Sequence, residues 1–213
     1  RADILLQMNQ ALKQVKQSEL ALLQAQVNPH FLYNTLNSIA ALCRKQPWEA
    51  EQLTVEFANY LRGSFDFKDL EAWIPLHKEM EHILHYLTIE KVRYDDRIQV
   101  EMEIQEGLDP LIPPLILQPL VENAVQHGIA PLPGGGKIRV QIRKTPEGVT
   151  FLVEDSGVGM SQQKLETIRR EETAGIGVWN IHRRLQSLFS AGLNIDSKEG
   201  GGTRVSFLLP DLK

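Results

Sequence analysis

The sequence contains a single cysteine, Cys43, among its 213 residues. An internal disulfide is therefore excluded, and such sparing use of cysteine fits a reducing compartment. No run of roughly eighteen apolar residues occurs, so the sequence predicts no membrane-spanning helix. The net charge is −4, and no stripe of lysine or arginine is present that would neutralise phosphates. This charge pattern argues against a nucleic-acid partner.

The sequence begins at Arg1 rather than at methionine, with a helical pattern already under way. We interpret the chain as a cytoplasmic fragment of a longer protein. We expect any membrane attachment of that parent to lie in an N-terminal region outside this sequence.

The first 27 residues carry an apolar stripe with alternating spacings of three and four. Such a heptad pattern pairs two helices side by side, and it favours self-association over packing within one chain. Its members are Leu5, Met8, Leu12, Val15 and Leu22.

Pro29 interrupts the helical pattern that continues through residues 24–39. A proline inside a helix removes one hydrogen-bond donor and crowds the preceding turn, so we predict a kink that leaves the carbonyl of Ala25 unpaired. Pro47 is suited to begin a second helix. Residues 1–66 are thus predicted to form a helical hairpin, and two copies would form a four-helix bundle.

Residues 70–213 are predicted to be a second domain of mixed helices and strands. A helix is expected from Pro75 to about Tyr94, followed by an alternating strand over residues 98–104. The segment PPLILQPLVENAVQHG is predicted to be a helix begun by its prolines. Further strands and two helices complete an α/β sandwich in which helices cover one face of a mostly antiparallel sheet.

Asn123 and His127 lie four residues apart, on one face of a predicted helix. An amide oxygen is a hard ligand suited to Mg²⁺, and the histidine could reach a phosphate oxygen. The alternative is a solvated polar face, which these two residues alone would favour.

Asp155 follows the apolar strand VTFLV and precedes Gly157 and Gly159. A buried carboxylate at a strand end can accept the amine of an adenine, and the glycines allow the backbone to approach the ring. A simple β-turn is the alternative interpretation.

Two more glycine clusters follow. Gly175 and Gly177 precede a helix, where backbone N–H groups form an anion site suited to phosphates. Gly202 and Thr203 precede the last strand and could close a nucleotide pocket. Each of these segments alone is weak evidence. Together, the Asn123–His127 segment, the Asp155 segment and the two glycine clusters strongly predict nucleotide binding by their order and spacing.

The segments ENAVQHG, DSGVG, GIG and GGT resemble the four sequence boxes of the Bergerat-type ATP-binding domain. That domain is shared by gyrase, heat-shock and mismatch-repair ATPases and histidine kinases. The segments QAQVNPHFLYNTLNSI and IPLHKEMEHILHYLTIEKVRYDDRI resemble the LytS-type branch of bacterial sensor histidine kinases. The resemblance implies an α+β fold: a helical hairpin, paired into a four-helix bundle in a homodimer, followed by the sandwich.

The resemblance also implies the chemistry. His30 would be the phospho-accepting histidine, ATP with Mg²⁺ the cofactor, and a response-regulator receiver domain the partner. Asn123 would bind Mg²⁺, Asp155 adenine and the loop 175–177 the phosphates. Asn34, one turn after His30, resembles the position that related kinases use for phosphatase chemistry.

Three positions depart from the family pattern. Pro119 stands where the superfamily's ATPases carry a glutamate base, which disfavours ATP hydrolysis. Phe31 replaces the acidic residue that follows the phospho-acceptor in many histidine kinases. Gln126 replaces a common lysine.

The sequence therefore predicts the catalytic portion of a sensor histidine kinase. A superfamily ATP hydrolase, a nucleotide-binding scaffold without transfer and a phosphatase acting on the regulator remain as alternatives.

Other polar residues have structural interpretations. We expect His77, His82 and His85 to lie on a solvated helix surface, and Arg183 and Arg184 to belong to a surface charge run. We expect Cys43 to be a small buried residue on its helix.

Overall fold

The computed structural model describes residues 28–66, 73–169 and 176–210. The chain divides into two compact units between Asp69 and Leu70. The predicted heptad stripe of the first 27 residues and Gly175 lie outside the described residues. Within the described ranges, no helix is both long and apolar enough to cross a membrane.

The described residues of the first unit form a hairpin of two helices, α1 (Pro29–Lys45) and α2 (Pro47–Asp66), which only Gln46 separates. The two helices pack through aromatic side chains. The Phe31 ring lies 4.9 Å from the Tyr60 ring and 6.5 Å from the Phe57 ring, measured between centroids. Phe31 and Tyr60 are each 1% exposed. Burial of these rings fixes which face of α1 turns toward α2.

The prediction of a kinked helix running through Pro29 is wrong. Asn28 has φ −59° and ψ 112°, which is not helical, and α1 begins at Pro29. The side chain of Asn28 caps the helix, because its Oδ1 accepts the His30 N–H at 3.0 Å. The residue before a proline is pushed out of the helical region, and asparagine followed by proline is a favourable helix start.

The prediction that Cys43 is buried is also wrong, because the side chain is exposed. A two-helix hairpin offers each helix only one covered face. Cys43 falls outside that face.

In the second unit, the described residues (73–169 and 176–210) form four further helices, a π-helical turn and seven strands. In chain order they are β1 (Ile74–Pro75), α3 (Leu76–Arg93), β2 (Ile98–Ile104), β3 (Leu111–Ile112), α4 (Gln118–Asn123), the π-helix (Ala124–Ile129), β4 (Gly136–Thr145), β5 (Gly148–Asp155), α5 (Gln162–Arg169), α6 (Ile176–Phe189), β6 (Asn194–Ser197) and β7 (Thr203–Pro210).

Five strands form the main sheet in the order β2-β4-β5-β7-β6, and β1 pairs separately with β3. Strand β2 runs parallel to β4, while the other neighbours are antiparallel. Alternate residues of β4 and β5 are buried, as expected when helices cover one face of a sheet. The opposite face carries ion pairs across the strands, such as Arg139 with Glu101 and Arg204 with Glu154. This architecture confirms the predicted α+β fold, a helical segment followed by an α/β sandwich.

The predicted helix over PPLILQPLVENAVQHG is only partly correct. Residues 113–117 are not helical, and Leu115 has a left-handed φ of 57°. The α-helix begins at Gln118 and changes to a π-helix after Asn123. Wider turns of this kind are rare and are often found at functional sites.

Candidate functional site

A cavity of about 610 Å³ opens in the second unit beside the ends of β5 and β7. Asn123, His127, Asp155, Gly159 and Thr203 all line it. The sequence pattern had marked all five, and the structure brings them together. Most of the remaining wall is apolar, formed by the side chains of Leu120, Val153, Val158, Met160, Ile168, Val178, Ile195 and Val205.

Asp155 is the last residue of β5 and is 6% exposed. Its Oδ1 accepts the backbone N–H of Gly157 at 2.8 Å. Burial raises the pKa of Asp155 to about 6, although the N–H groups of Gly157 and Thr203 act in the opposite direction. A carboxylate in such an apolar surrounding can accept a hydrogen bond from an amino group of a bound ring.

Glycines allow the chain to close around this carboxylate. A Cβ at position 157 would lie 2.2 Å from the carbonyl oxygen of Gly128, and one at Gly202 would lie 1.9 Å from the carbonyl oxygen of Asp155. Gly159 and Gly202 have left-handed φ values of 63° and 79°. Glycine takes this conformation without the steric penalty of a side chain. The glycine pattern therefore shapes the cavity around Asp155.

Asn123 ends α4, and His127 lies on the π-helix that follows it. The π-helical hydrogen bond runs from the Ala130 N–H to the Val125 carbonyl at 2.8 Å. His127 is exposed and Asn123 is half-buried. Both reach the same cavity, as their predicted shared helix face implies.

Thr203 lies at the start of β7, opposite Asp155 in the strand register. Its hydroxyl is 2.9 Å from Ser197 Oγ, which in turn accepts the Met160 N–H at 2.9 Å. Thr203 is thus connected, through Ser197, to the segment that follows the glycine-rich loop of residues 157–159.

Lys164, which lies outside the four predicted motifs, lines the cavity from α5. It is the only lysine or arginine among the described residues of the lining. Ser161 caps the N-terminus of α5, since its carbonyl and hydroxyl accept the N–H groups of Leu165 and Lys164. A lysine in the first helical turn after the glycine-rich loop was the available sequence signal.

The predicted phosphate loop is only partly described. Gly175 lies outside the described residues, and Gly177 lies in the first turn of α6. In the described part of the chain, no group of three or more His, Cys, Asp or Glu residues could hold a metal ion. The role of Asn123 as a magnesium ligand, together with phosphate oxygens and water, stays a prediction.

His30 and Asn34 lie in the helical unit, one turn apart on α1. His30 is exposed because Phe31, its neighbour, is the residue that turns toward α2. Asn34 Nδ2 lies 3.2 Å from Nδ1 and 3.1 Å from Nε2 of the His30 ring. The ring is open to solvent, with a polar amide beside its edge.

Solved structures with a similar fold are histidine kinase domains. The histidine kinase domain of the blue-light activated histidine kinase of Erythrobacter litoralis EL346 has a TM-score of 0.53 and 20% identity, covering 91% of this chain and 93% of that chain. The catalytic domain of the histidine kinase ThkA also has a TM-score of 0.53, at 16% identity, covering 65% of this chain and 95% of that one. At these identities the likeness shows the fold alone.

Family profiles identify both parts of the chain. The profile described as Histidine kinase matches residues 18–98, and that described as Histidine kinase-, DNA gyrase B-, and HSP90-like ATPase matches residues 109–213. The second match identifies the cavity-bearing unit as an ATP-binding domain.

Named relatives agree with both profiles. The uncharacterized protein YwpD of Bacillus subtilis is 39% identical over 98% of this chain and 76% of its own length. Sensor histidine kinase YpdA of Escherichia coli is 38% identical over 91% of this chain, and Sensor protein LytS of Oceanobacillus iheyensis is 35% identical over 93%. The chain belongs to the LytS/YpdA type of the histidine kinase family and comprises the catalytic portion of a sensor histidine kinase, which confirms the predicted family. It spans about a third of the length of those two sensor proteins.

Proposed function

We propose that this chain binds Mg-ATP in the cavity around Asp155, transfers the γ-phosphoryl group to His30 and passes it to an aspartate of a response-regulator receiver domain. The observation that carries the proposal is the exposed ring of His30, turned outward by the burial of Phe31, in a chain that also holds the ATP-binding cavity.

Within the cavity, each candidate residue has a distinct part in binding ATP. The Asp155 carboxylate would accept the adenine amine, and the apolar wall would cover the ring. The ammonium group of Lys164 and the ring of His127 would approach the phosphates. Asn123 would hold Mg²⁺, and the bound ion would neutralise phosphate charge during transfer.

Transfer to His30 forms a bond between a ring nitrogen and the γ-phosphorus. The bond from that phosphorus to the bridging oxygen breaks at the same time, and ADP leaves. The other ring nitrogen then releases its proton to solvent. This reaction depends on positioning and charge neutralisation more than on a strong base. It can therefore proceed with Phe31 in place of the acidic residue that follows the phospho-acceptor in many histidine kinases.

In the second reaction, a regulator aspartate attacks the phosphorus, the bond to the His30 nitrogen breaks, and the ring takes a proton back from solvent. An exposed acceptor is required, because a receiver domain must approach the phosphorylated ring. The exposure of His30 supports this step.

We also propose that two copies pair through their helical units as a four-helix bundle. Apolar side chains remain exposed on both helices: Tyr33 at 70%, Leu36 at 51%, Trp48 at 70% and Val55 at 51%. A second hairpin would cover such residues. Light scattering after size exclusion should give the mass of a dimer, and a monomer at all concentrations would contradict the pairing.

Incubation with γ-phosphate-labelled ATP and Mg²⁺ tests the kinase reaction. Wild-type protein should acquire a label that acid removes and alkali preserves, and His30→Gln should acquire none. Asn37→Gln, an exposed position on the same helix, is the matched control and should label like wild type. A label that survives in His30→Gln would contradict the assignment of the acceptor.

The same incubation separates the alternatives. Nucleotide binding without any label indicates the scaffold. Steady release of phosphate that is unaffected by His30→Gln indicates the ATP hydrolase, which Pro119 disfavours.

A second activity, removal of the phosphoryl group from the regulator, is favoured by the position of Asn34. Its amide lies beside the His30 ring, where a regulator's phosphoaspartate would approach. An amide there could orient the water that attacks the phosphorus.

A further inference from the structure

The first turn of α3 contains a buried carboxylate outside the ATP cavity. Glu79 is 0% exposed. Its Oε1 accepts the backbone N–H groups of Leu117 at 2.7 Å and Gln118 at 3.0 Å. These two donors begin α4, where Leu117 supplies no side-chain cap of its own. The first N–H groups of a helix lack partners within it, so Glu79 supplies from another element the cap that is missing locally.

The segment before α4 is held from a second side. Arg184 Nη1, on α6, donates a hydrogen bond to the carbonyl oxygen of Pro114. Between this contact and the Glu79 contact lies Leu115, whose φ of 57° is unusual for a branched side chain. Such a conformation persists only where the surrounding structure imposes it. Glu79 and Arg184 together therefore fix where α4 starts.

The far end of α4 is the cavity end. The helix has six residues and ends at Asn123. At 1.5 Å per residue it is about 9 Å long, so a shift at Gln118 is carried directly to Asn123. Asp155 lies on β5 and is held by its own contacts with Gly157 and Thr203. Asp155 therefore has supports on the sheet side that do not involve Glu79, whereas Asn123 depends on the start of α4.

We propose that Glu79 is a positioning residue for Mg-ATP: by capping α4 it holds Asn123 at the phosphate side of the cavity. The inference rests on the proposed role of Asn123 as the magnesium ligand. It predicts that loss of the cap weakens binding of the phosphates and the ion while binding of the adenine is preserved.

The energetics of Glu79 agree with a specific capping role. Among the described residues, its second oxygen, Oε2, has no hydrogen-bond partner. Burial raises the pKa of Glu79 to about 7, although the backbone N–H groups of residues 116–118 and the charge of Arg184 act in the opposite direction. An apolar side chain of similar size would avoid this unfavourable burial, so the contribution of the carboxylate at this position is the cap.

Calorimetric titration of the whole chain tests the proposal with two ligands, Mg-ATP and adenosine. Adenosine has no phosphate and reports on the Asp155 side alone. In Glu79→Ala, the Kd for Mg-ATP should rise about tenfold, the effect of losing a helix cap. The Kd for adenosine should stay within about twofold, because a pure capping role leaves the purine side intact.

Conservative variants separate capping from general stability. Glu79→Gln keeps an acceptor oxygen and should retain Mg-ATP affinity to within about threefold. Glu79→Asp keeps the charge but shortens the side chain, so it should show a partial loss for Mg-ATP only, and it can be measured even if Glu79→Ala does not fold. Glu81→Ala, an exposed glutamate on the same helix, is the control and should match wild type.

An equal loss of affinity for both ligands in Glu79→Ala or Glu79→Asp would overturn the inference, as would unchanged Mg-ATP affinity in both. Either result leaves the proposed function standing. If wild-type protein binds ATP no more tightly with Mg²⁺ than without it, the magnesium site itself is wrong, and the inference is overturned with it.

Discussion

Gly128 faces Asp155 so closely that a Cβ atom at position 128 would lie 2.5 Å from Asp155 Oδ1. The carbonyl oxygen of Gly128 also accepts the Val158 N–H at 3.0 Å. The π-helix and the glycine-rich loop therefore meet at this glycine. A side chain here would have to displace the carboxylate that we assign to the adenine.

Gly128→Ala is predicted to weaken adenosine and ATP binding alike. Overpacking of this kind typically costs about 1–3 kcal/mol, which corresponds to a rise in Kd of roughly tenfold or more. Equilibrium titration of the two nucleotides measures the effect. Gly134→Ala is the matched control, since a Cβ there meets nothing within 4 Å. Equal affinities in both variants would show that Asp155 tolerates the displacement.

Adenosine affinity is predicted to fall in acid. Burial raises the pKa of Asp155 to about 6, so below that pH the carboxyl is increasingly protonated and no longer accepts a hydrogen bond from the adenine amine. The Kd should rise by up to about tenfold for each pH unit below 6 and stay level above it. Adenosine is the suitable ligand because it has no phosphate that titrates. A Kd that does not change between about pH 5 and pH 8 would contradict the assignment of Asp155 as the acceptor of the adenine amine.

The free energy of unfolding is predicted to fall as the pH rises from about 4.5 to about 7. Burial raises the pKa of Glu79 from 4.5 to about 7, so in this window the folded protein holds a proton that the unfolded chain has lost. The stabilising contribution is complete below pH 4.5 and is lost as the pH passes 7. Glu79→Gln should reduce the decline by up to about 3 kcal/mol.

Urea denaturation below about pH 4.5 and above about pH 7 measures this change in the free energy of unfolding. Some decline should remain in Glu79→Gln, because burial also raises the pKa values of Glu90 and Asp155. Glu81→Gln should leave the decline unchanged. Identical pH profiles for wild type and Glu79→Gln would mean that Glu79 is ionised in the folded protein throughout.

Lys164→Ala is predicted to raise the Kd for ATP by about three- to fivefold and to leave adenosine unaffected. Lys164 lines the cavity but is exposed, so its attraction to phosphates is screened by solvent and weakens further with salt. Titrations at two salt concentrations measure this. Lys144→Ala, at the far end of β4, is the control. A salt-independent loss would point to packing instead of charge.

Asn34→Ala is predicted to slow dephosphorylation of the regulator about tenfold or more while labelling of His30 changes only a few-fold. The amide lies beside the ring, but the exposure of His30 on α1 follows from the burial of Phe31 and not from Asn34. Loss of phosphate from the phosphorylated regulator, timed with each variant, is the measurement. Asn37→Ala should behave like wild type. Equal rates in Asn34→Ala and wild type would remove Asn34 from the phosphatase reaction.

The regular strands could be predicted from sequence because their signal is local. Strand β2 covers the predicted residues 98–104, and β5 contains the predicted apolar strand VTFLV. In each case every second residue is apolar, and a pleated strand places such residues on one face whatever lies beyond it.

The side-chain environments were harder to predict. His82 is only 2% exposed, although a solvated surface was expected, and burial lowers its pKa to about 4. Arg184 was assigned to a surface charge run, yet it is half-buried and donates to Pro114. Both errors have one cause: burial depends on which element packs opposite, and a single sequence does not contain that information.

The start of α4 shows the same limit. Prolines at 113 and 114 suggested a helix beginning there, since proline is favourable in a first turn. The helix begins at Gln118 instead, because Glu79 and Arg184 hold the preceding segment in another conformation. Those two residues come from helices about forty and seventy positions away in the chain.

The sequence by itself determined the family, the order of the main strands and helices, and the residue types that line the cavity, because motif spacing and apolar periodicity are present in the linear sequence. Only the tertiary structure decided that Gly128 makes room for Asp155 and that Glu79 caps the helix of Asn123. Those relationships arise where distant segments pack together, and the energy of a buried carboxylate depends on neighbours that the linear order does not specify.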